Sequence, residues 1–169
     1  KGEIDCLSKI IKPDVGVITN ISHAHVKNFK NIKEIAKAKS EIINNIKKGG
    51  SLILNADDKF YRFHKTQAQK KSLKVYSFSI KKKSSHINLD FVKREKLKYK
   101  VVININNSKK YFYINSNFEN DIKNLLATIL IISIFKDVTK LDRNIFFNHK
   151  VPSGRGDISK IKLFNKFFY

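Results

Sequence analysis

The sequence predicts an α/β fold: a mainly parallel sheet flanked by helices, with an antiparallel hairpin extension. Short apolar runs at 14–21, 51–55 and 73–79 alternate with helical segments, which is the order of a parallel sheet. Residues 86–115 instead alternate apolar and polar side chains around a turn at Asn106-Asn107-Ser108, which is typical of antiparallel hairpins. A strongly apolar helix then follows and can cover the sheet.

Four helices are expected, from Asn31 to the pair Gly49-Gly50, from Asp58 to Lys70, from Asn120 or Asp121 to Phe135, and from Leu141 to His149. The first begins with a capping box, because Asn31 can cap it and Glu34 follows three residues later. One face of this first helix carries apolar residues, namely Ile32, Ile35, Ala36, Ile42, Ile43 and Ile46.

Both ends of the chain are expected to be cut points within a longer protein. The chain starts at Lys1 without a Met, and residues 161–169 have the alternation of an unfinished strand. Pro152-Ser153-Gly154 interrupts the preceding pattern and predicts a domain junction. We therefore expect residues 1–150 to form most of one domain and residues 151–169 to open a second one.

The formal net charge of +21 permits a basic nucleic-acid-binding module as one function. The positive charge is mostly lysine scattered along the chain, with arginine only at Arg62, Arg94, Arg143 and Arg155. Arginine dominates specific phosphate and base contacts. The pattern therefore favours compositional bias, and the binding module is kept as the alternative.

The single cysteine, Cys6, fits a reducing compartment. The longest apolar run, 125–135, is shorter than the about 20 residues that span a bilayer. We expect a cytoplasmic protein without membrane insertion.

Lys39 is the strongest physical anomaly, because it lies on the apolar face of the first predicted helix, four residues after Ile35. Burying an ammonium group is costly unless it is paired or neutralised. Two interpretations are equal on spacing alone. The side chain can reach solvent from the edge of the face, or it can belong to a site and be chemically modified.

Polar residues follow the first two predicted strands. Thr19 to His25 includes Asn20 and a His-x-His pair, at a strand end where open α/β sheets bind ligands. His-x-His alone is a weak metal signal, so a solvated loop is favoured. Asp57 and Asp58 follow the second strand and can cap the next helix. The 169 residues contain neither G-x-x-x-x-G-K-[ST] nor GxGxxG.

Several weak motifs, taken together in order and spacing, resemble the Mur ligases. They are Gly2-Glu3-Ile4, residues 12–21 (KPDVGVITNI), Ala24-His25, Phe29, residues 35–42 (IAKAKSEI) and residues 54–58 (LNADD). Ala24 before His25 is similar to the branch that adds D-alanyl-D-alanine, whereas sister ligases usually have Asp there. Gly154-Arg155-Gly156 resembles the arginine turn that opens that branch's C-terminal domain.

The resemblance implies a partial Mur-ligase central ATPase domain at 1–150 and the start of the C-terminal ligase domain at 151–169. The whole enzyme would be a monomer that uses ATP and Mg²⁺ to join D-alanyl-D-alanine to UDP-MurNAc-tripeptide through an acyl phosphate. Another Mur ligase or a folylpolyglutamate synthase-like amide ligase is the alternative within this superfamily. The phosphate-cradling loop would lie before Lys1, so this fragment is expected to be inactive alone.

The resemblance also implies residue roles. His25 would lie near Mg²⁺ or ligate it, and Lys39 would be carbamylated beside the metal. Asn124 would lie near the adenine and Arg155 near the phosphates, and Asn20 would contribute to nucleotide binding. The chain departs from the family pattern at Asn120, where the family usually has His, and at Asn28, where it usually has Gly.

Overall fold

The computed structural model describes residues 2–22, 29–148, 161–163 and 166–168. The helices are α1 (Glu3–Ile11), α2 (Ile32–Ser40), α3 (Tyr61–Lys70) and α4 (Glu119–Phe135), with short 3₁₀ helices at Glu41–Asn45 and Val138–Lys140. The strands are β1 (Val15–Ile18), β2 (Ser51–Asn55), β3 (Lys74–Ser79), β4 (Ile87–Glu95), β5 (Lys98–Ile105), β6 (Ser108–Ile114), β7 (Ile161–Leu163) and β8 (Lys166–Phe168).

The main sheet has the order β1-β2-β3-β4-β5-β6. Strands β1 to β4 pair in parallel, and β5 and β6 continue the sheet as antiparallel neighbours. The predicted α/β fold with an antiparallel extension is therefore confirmed. The parallel ladder between β3 and β4 consists of two residue pairs, Phe78 with Ile87 and Ser79 with Asn88. This short ladder makes the extension project from the end of β3.

The two faces of the sheet are covered by different helices. Helix α4 packs on one face, where Ile53 and Phe78 meet Leu126 in a shared core. Helices α2 and α3 form the second core with Leu52 and Leu54 on the other face. Every residue of β2 is buried because the strand lies between both layers, which explains its continuous apolar sequence.

The first predicted helix is capped as expected but is shorter. The Asn31 Oδ1 accepts from the backbone N–H of Glu34 at 3.1 Å, and the Glu34 carboxylate accepts from the N–H of Lys30 at 3.1 Å. The α-helix ends at Ser40, and a 3₁₀ helix carries the chain to Asn45. Isoleucine and asparagine dominate that last segment, and both favour the α-helix less than alanine or leucine does.

Side-chain caps move two other helix starts. Asp58 Oδ1 accepts from the N–H of Phe60 at 2.8 Å, and this turn delays α3 to Tyr61. Ser116 Oγ accepts from the N–H of Phe118 at 3.2 Å and donates to Asp121 Oδ2 at 2.5 Å. Helix α4 therefore starts at Glu119, so the prediction that Asn120 or Asp121 is the cap is wrong.

The C-terminal predictions have mixed outcomes. The helix predicted from Leu141 is wrong over 141–148, where the chain forms turns, one of them held by Asp142 Oδ1 and the N–H of Asn144 at 2.7 Å. The alternating segment at 161–169 contains two short antiparallel strands, β7 and β8, where one unfinished strand was expected. The proposed junction at 152–154 lies outside the described residues and stays a prediction.

None of the helices in the described ranges is long and apolar enough to cross a bilayer.

Candidate active site at the carboxyl edge of the sheet

The carboxyl ends of the parallel strands collect the polar residues that followed each strand in the sequence. Asn20 lies just after β1, Asp57 and Asp58 follow β2, and Ser79 is the last residue of β3. Because β1, β2 and β3 are parallel, these residues lie along one edge of the sheet. Open α/β sheets bind their ligands at this edge.

Lys39 reaches this edge from α2. Ile35 and Ala36 bury the helix against the sheet, and Lys39 follows one turn later with its side chain half-buried. Its Nζ donates to the backbone carbonyl of Asn20 at 2.9 Å. The amine is therefore held against the loop that follows β1, and the structure brings these two candidate residues together. Their roles in a site stay predictions.

Asp58 holds the same loop from the neighbouring strand end. Its Oδ2 accepts from the N–H of Ile21 at 2.7 Å, while its Oδ1 keeps the bond to Phe60. The sequence predicted a helix cap at this position. The contact with the N–H of Phe60, just before α3, resembles such a cap. The contact with Ile21 was missed, because it joins residues 37 positions apart.

Asp57 holds the next loop instead. Its Oδ1 accepts from Ser79 Oγ at 2.6 Å and its Oδ2 accepts from the N–H of Ile80 at 2.7 Å. The N–H of Asp57 is in turn bound by Asn55 Oδ1 at 2.9 Å. Two consecutive carboxylates therefore bind the loops on opposite sides of β2. Their position directly after a buried strand was the available signal for this role.

His64 is a buried residue behind the site that the sequence did not single out. Its side chain is 2% exposed, and its Nε2 lies 3.1 Å from the carbonyl of Ala36. A carbonyl only accepts, so Nε2 carries the proton. Burial lowers the pKa of His64; the hydrogen bond to Ala36 and the charge of Asp58 oppose this, and the charge of Lys39 adds to it. The imidazole is therefore neutral and joins α3 to α2.

Helix α4 starts near the same edge. The hydrogen bond from Lys123 is the main cause that lowers the pKa of Glu119, and the charges of Lys81 and Asp57 also act on this carboxyl group. Asn124 lies in the second turn of α4 and is exposed. Within the described ranges, no hydrogen bond joins Asn124 to Asn20 or Lys39. His25 and Arg155 lie outside those ranges, so their roles stay predictions.

The donor set was compared with what Mg²⁺ requires. No three His, Cys, Asp or Glu side chains in the described part of the chain are grouped so that they could hold a metal ion. Both oxygens of Asp57 and of Asp58 already accept hydrogen bonds from the chain. A carboxylate oxygen that accepts one hydrogen bond keeps a second lone pair, so Asp57 and Asp58 could still contribute oxygen ligands to Mg²⁺. The described residues therefore fit the metal in part, and its further ligands would have to come from other groups.

A cavity of about 340 Å³ lies away from these polar groups. It is lined by the first residues of β2 and β3, Ser51 and Lys74, and by Leu130 near the C-terminal end of α4. These positions are at the amino edge of the parallel strands. The carboxyl edge is the better candidate site because Lys39 and Asp58 converge there on the loop after β1.

The chain thus has a parallel sheet covered by helices and a lysine held at the carboxyl edge of that sheet. The chain belongs to the Mur ligases, since it matches the Mur ligase middle domain over residues 1–132. It is 30% identical over 170 residues to the UDP-N-acetylmuramoyl-tripeptide–D-alanyl-D-alanine ligase of Rickettsia prowazekii. That alignment covers 96% of this chain and 36% of the relative, so the chain spans about a third of the relative's length.

Two solved structures are similar to this chain. MurF from Acinetobacter baumannii has a TM-score of 0.70 at 25% identity, with 79% of this chain and 28% of that chain covered. The MurF ligase of Thermotoga maritima, solved in complex with ADP, has a TM-score of 0.78, with 95% of this chain and 36% of that chain covered. Its 20% identity shows the shared fold alone.

Proposed function

We propose that the chain is part of an ATP-dependent ligase that joins D-alanyl-D-alanine to UDP-MurNAc-tripeptide, a step of peptidoglycan biosynthesis that supports cell shape and division. The observation that carries this proposal is the placement of Lys39 Nζ 2.9 Å from the Asn20 carbonyl at the ligand-binding edge of the sheet. The match to the Rickettsia prowazekii ligase over 96% of this chain supports the choice of substrate. ATP use favours the cytoplasm, and we propose a monomer.

The reaction has two steps. A carboxylate oxygen of the tripeptide attacks the γ-phosphorus of ATP, forming an acyl phosphate and releasing ADP. The amine of D-alanyl-D-alanine then attacks the acyl carbon, forming the amide as phosphate and a proton leave. Catalysis of phosphoryl transfer consists largely of positioning and charge stabilisation. In this proposal Asn124 lies beside the adenine, Asn20 belongs to the nucleotide-binding loop, and Arg155 stabilises phosphate charge.

Lys39 acts as a carbamate in this proposal. The side-chain ammonium first loses a proton, and the neutral amine then attacks CO₂. An N–C bond forms and a second proton is released, so a cationic side chain becomes an anion. The carbamate nitrogen keeps one N–H, so the contact with the Asn20 carbonyl is retained. The carbamate oxygens and His25 would hold Mg²⁺. When bound, this ion neutralises charge on the phosphates.

The test is a ligase assay on the protein encoded by the complete reading frame. ADP release should require both UDP-MurNAc-tripeptide and D-alanyl-D-alanine. Release with UDP-MurNAc and L-alanine, or with a folate and glutamate, would instead identify the other amide ligases. Absence of ligase activity together with sequence-selective DNA binding would favour the binding module.

A further inference from the structure

We propose that Asp58 is a positioning residue for Lys39 and acts through the one peptide group between Asn20 and Ile21. The catalytic importance of this role rests on the function proposed above, whereas the geometric role can be measured separately. The N–H of this peptide donates to Asp58 Oδ2 at 2.7 Å, and its carbonyl accepts from Lys39 Nζ at 2.9 Å.

The planarity of the peptide links these two contacts. A trans peptide holds its carbonyl and its N–H in one plane, pointing in opposite directions. Fixing the N–H on Asp58 therefore also fixes the direction in which the carbonyl meets Lys39. A rotation of this peptide group that broke one contact would break the other.

The charges at the two ends strengthen both contacts. A carboxylate on the N–H and an amine on the carbonyl make hydrogen bonds that are stronger than neutral ones, and bonds in a chain polarise one another. Asp58 and Lys39 are both half-buried, so water screens them less than it would on an open surface. The loop is therefore held between two charged groups.

Asp58 is itself fixed relative to the helix that carries Lys39. Its Oδ1 accepts from Phe60 at the start of α3, and α3 is tied to α2 by the His64–Ala36 contact. Ala36 lies three residues before Lys39 in the same helix. The contacts thus form a closed path from α2 through Lys39, the peptide, Asp58 and α3 back to α2.

Asp57 offers a matched control. It is the same residue type at the adjacent position, is also half-buried, and also accepts two hydrogen bonds. Its partners are Ser79, the last residue of β3, and Ile80, which follows it. Substituting Asp57 therefore changes the local charge equally without releasing the Asn20–Ile21 peptide.

The experiment measures the reactivity of the Lys39 amine in the 169-residue chain. The chain is acetylated briefly with an amine-reactive ester and digested at glutamates, which releases residues 35–41 as one peptide. That peptide contains Lys39 and the exposed Lys37, so tandem mass spectrometry gives the Lys39/Lys37 labelling ratio from one helix. Asp58→Asn, which removes the charge and leaves one acceptor oxygen for the two N–H groups of Ile21 and Phe60, is compared with Asp57→Asn. Asp58→Ser keeps a cap for Phe60 but is too short for Ile21 and serves as the second variant.

We expect the labelling ratio to rise about tenfold in both Asp58 variants, the factor that corresponds to the loss of a hydrogen bond to a charged group, and to stay unchanged in Asp57→Asn. Circular dichroism confirms that each variant is folded. An unchanged ratio in the Asp58 variants would overturn the proposal, and so would an equal rise in Asp57→Asn. Full turnover of Lys39→Ala in the complete ligase would refute the proposed function of Lys39 and leave the labelling result standing.

Discussion

Among single residues, Lys39 carries the carbamate that we propose for the carboxyl edge. In the complete ligase we expect Lys39→Ala to lower turnover by about 100-fold while the fold survives, because the proposed carbamate ligand of the metal would be lost. Lys39→Arg should fail as well, since a guanidinium stays positive and cannot form a carbamate. A short carboxylic acid should partly restore the Ala variant by replacing the anion. Steady-state ligase rates measure these effects.

Lys37→Ala is the control for this series, because Lys37 is exposed on the same helix. Its turnover should match that of the unsubstituted ligase. Turnover of Lys39→Arg near that level would exclude the carbamate and support a side chain that merely reaches solvent.

His64 should make stability depend on pH. Burial lowers the pKa of His64 in the folded chain, whereas the unfolded chain has a value of about 6.5. As the pH falls below about 6.5, the unfolded chain takes up a proton that the folded chain does not, so stability falls until the folded pKa is reached. In His64→Gln, whose amide can still donate to Ala36, the unfolding midpoint should fall less between pH 6.5 and 5.

His86→Gln provides the comparison. Burial lowers the pKa of His86 as well, but His86 is more exposed than His64, so His86→Gln should remove a smaller part of the pH dependence. A slope in His64→Gln equal to that of the original chain would show that this histidine does not control the acid response.

The sequence singled out Lys39 and Asn20 as candidates but not the residues that hold them in place. Lys39 was recognisable because a cation on an apolar face contradicts the helical pattern around it. Asp58 and His64 were not, since their informative partners are 37 and 28 positions away in the chain. A carboxylate before a helix also has an adequate local explanation as a cap, which hides its second contact.

Among the elements, the turn into β2 should be sensitive to two glycines for different physical reasons. Gly49 has a φ of 78°, in open space, whereas a Cβ on Gly50 would lie 2.7 Å from the Asp14 carbonyl and 2.8 Å from that of Lys47. Gly49→Ala should cost about 1 kcal/mol through left-handed backbone strain. Gly50→Ala should cost about 2–3 kcal/mol, because backbone must move. Chemical denaturation of both variants gives the comparison, and equal losses would contradict it.

The strands and turns were predictable where local sequence determines them. β2 was predicted residue for residue, and the hairpin turn was predicted from Asn106-Asn107, whose φ angles of 49° and 60° are ones that asparagine tolerates. The starts of helices were less predictable. Asp58 and Ser116 form turns just before α3 and α4, so these helices begin at Tyr61 and Glu119. Residues 141–148 were predicted to be helical from their sequence pattern, yet they form turns.

For the whole molecule, the missing glycine-rich loop limits what this chain can do alone. We expect it to bind ATP very weakly and to hydrolyse none, because no backbone cradle for the phosphates occurs in its 169 residues. Calorimetric titration with MgATP measures this, with the complete ligase as the positive control. Micromolar affinity in the isolated chain would contradict the prediction.

The net charge of +21 should produce only non-specific binding to DNA. Such binding depends on counterion release, so the affinity should fall steeply and linearly in a double-logarithmic plot against salt. Fluorescence anisotropy with two unrelated duplexes of equal length should give equal affinities at each salt concentration. A sequence-selective complex that survives physiological salt would revive the binding-module hypothesis.

The two-pair ladder between β3 and β4 has a consequence for cooperativity. Opening this ladder breaks far fewer backbone hydrogen bonds than opening the five-pair ladder between β2 and β3. The hairpin extension is therefore held to the parallel strands mainly by the apolar core that Ile87, Val101 and Ile103 share with Ile53 and Phe78. Loosening of that core should let the amide protons of the extension exchange with solvent before those of β2.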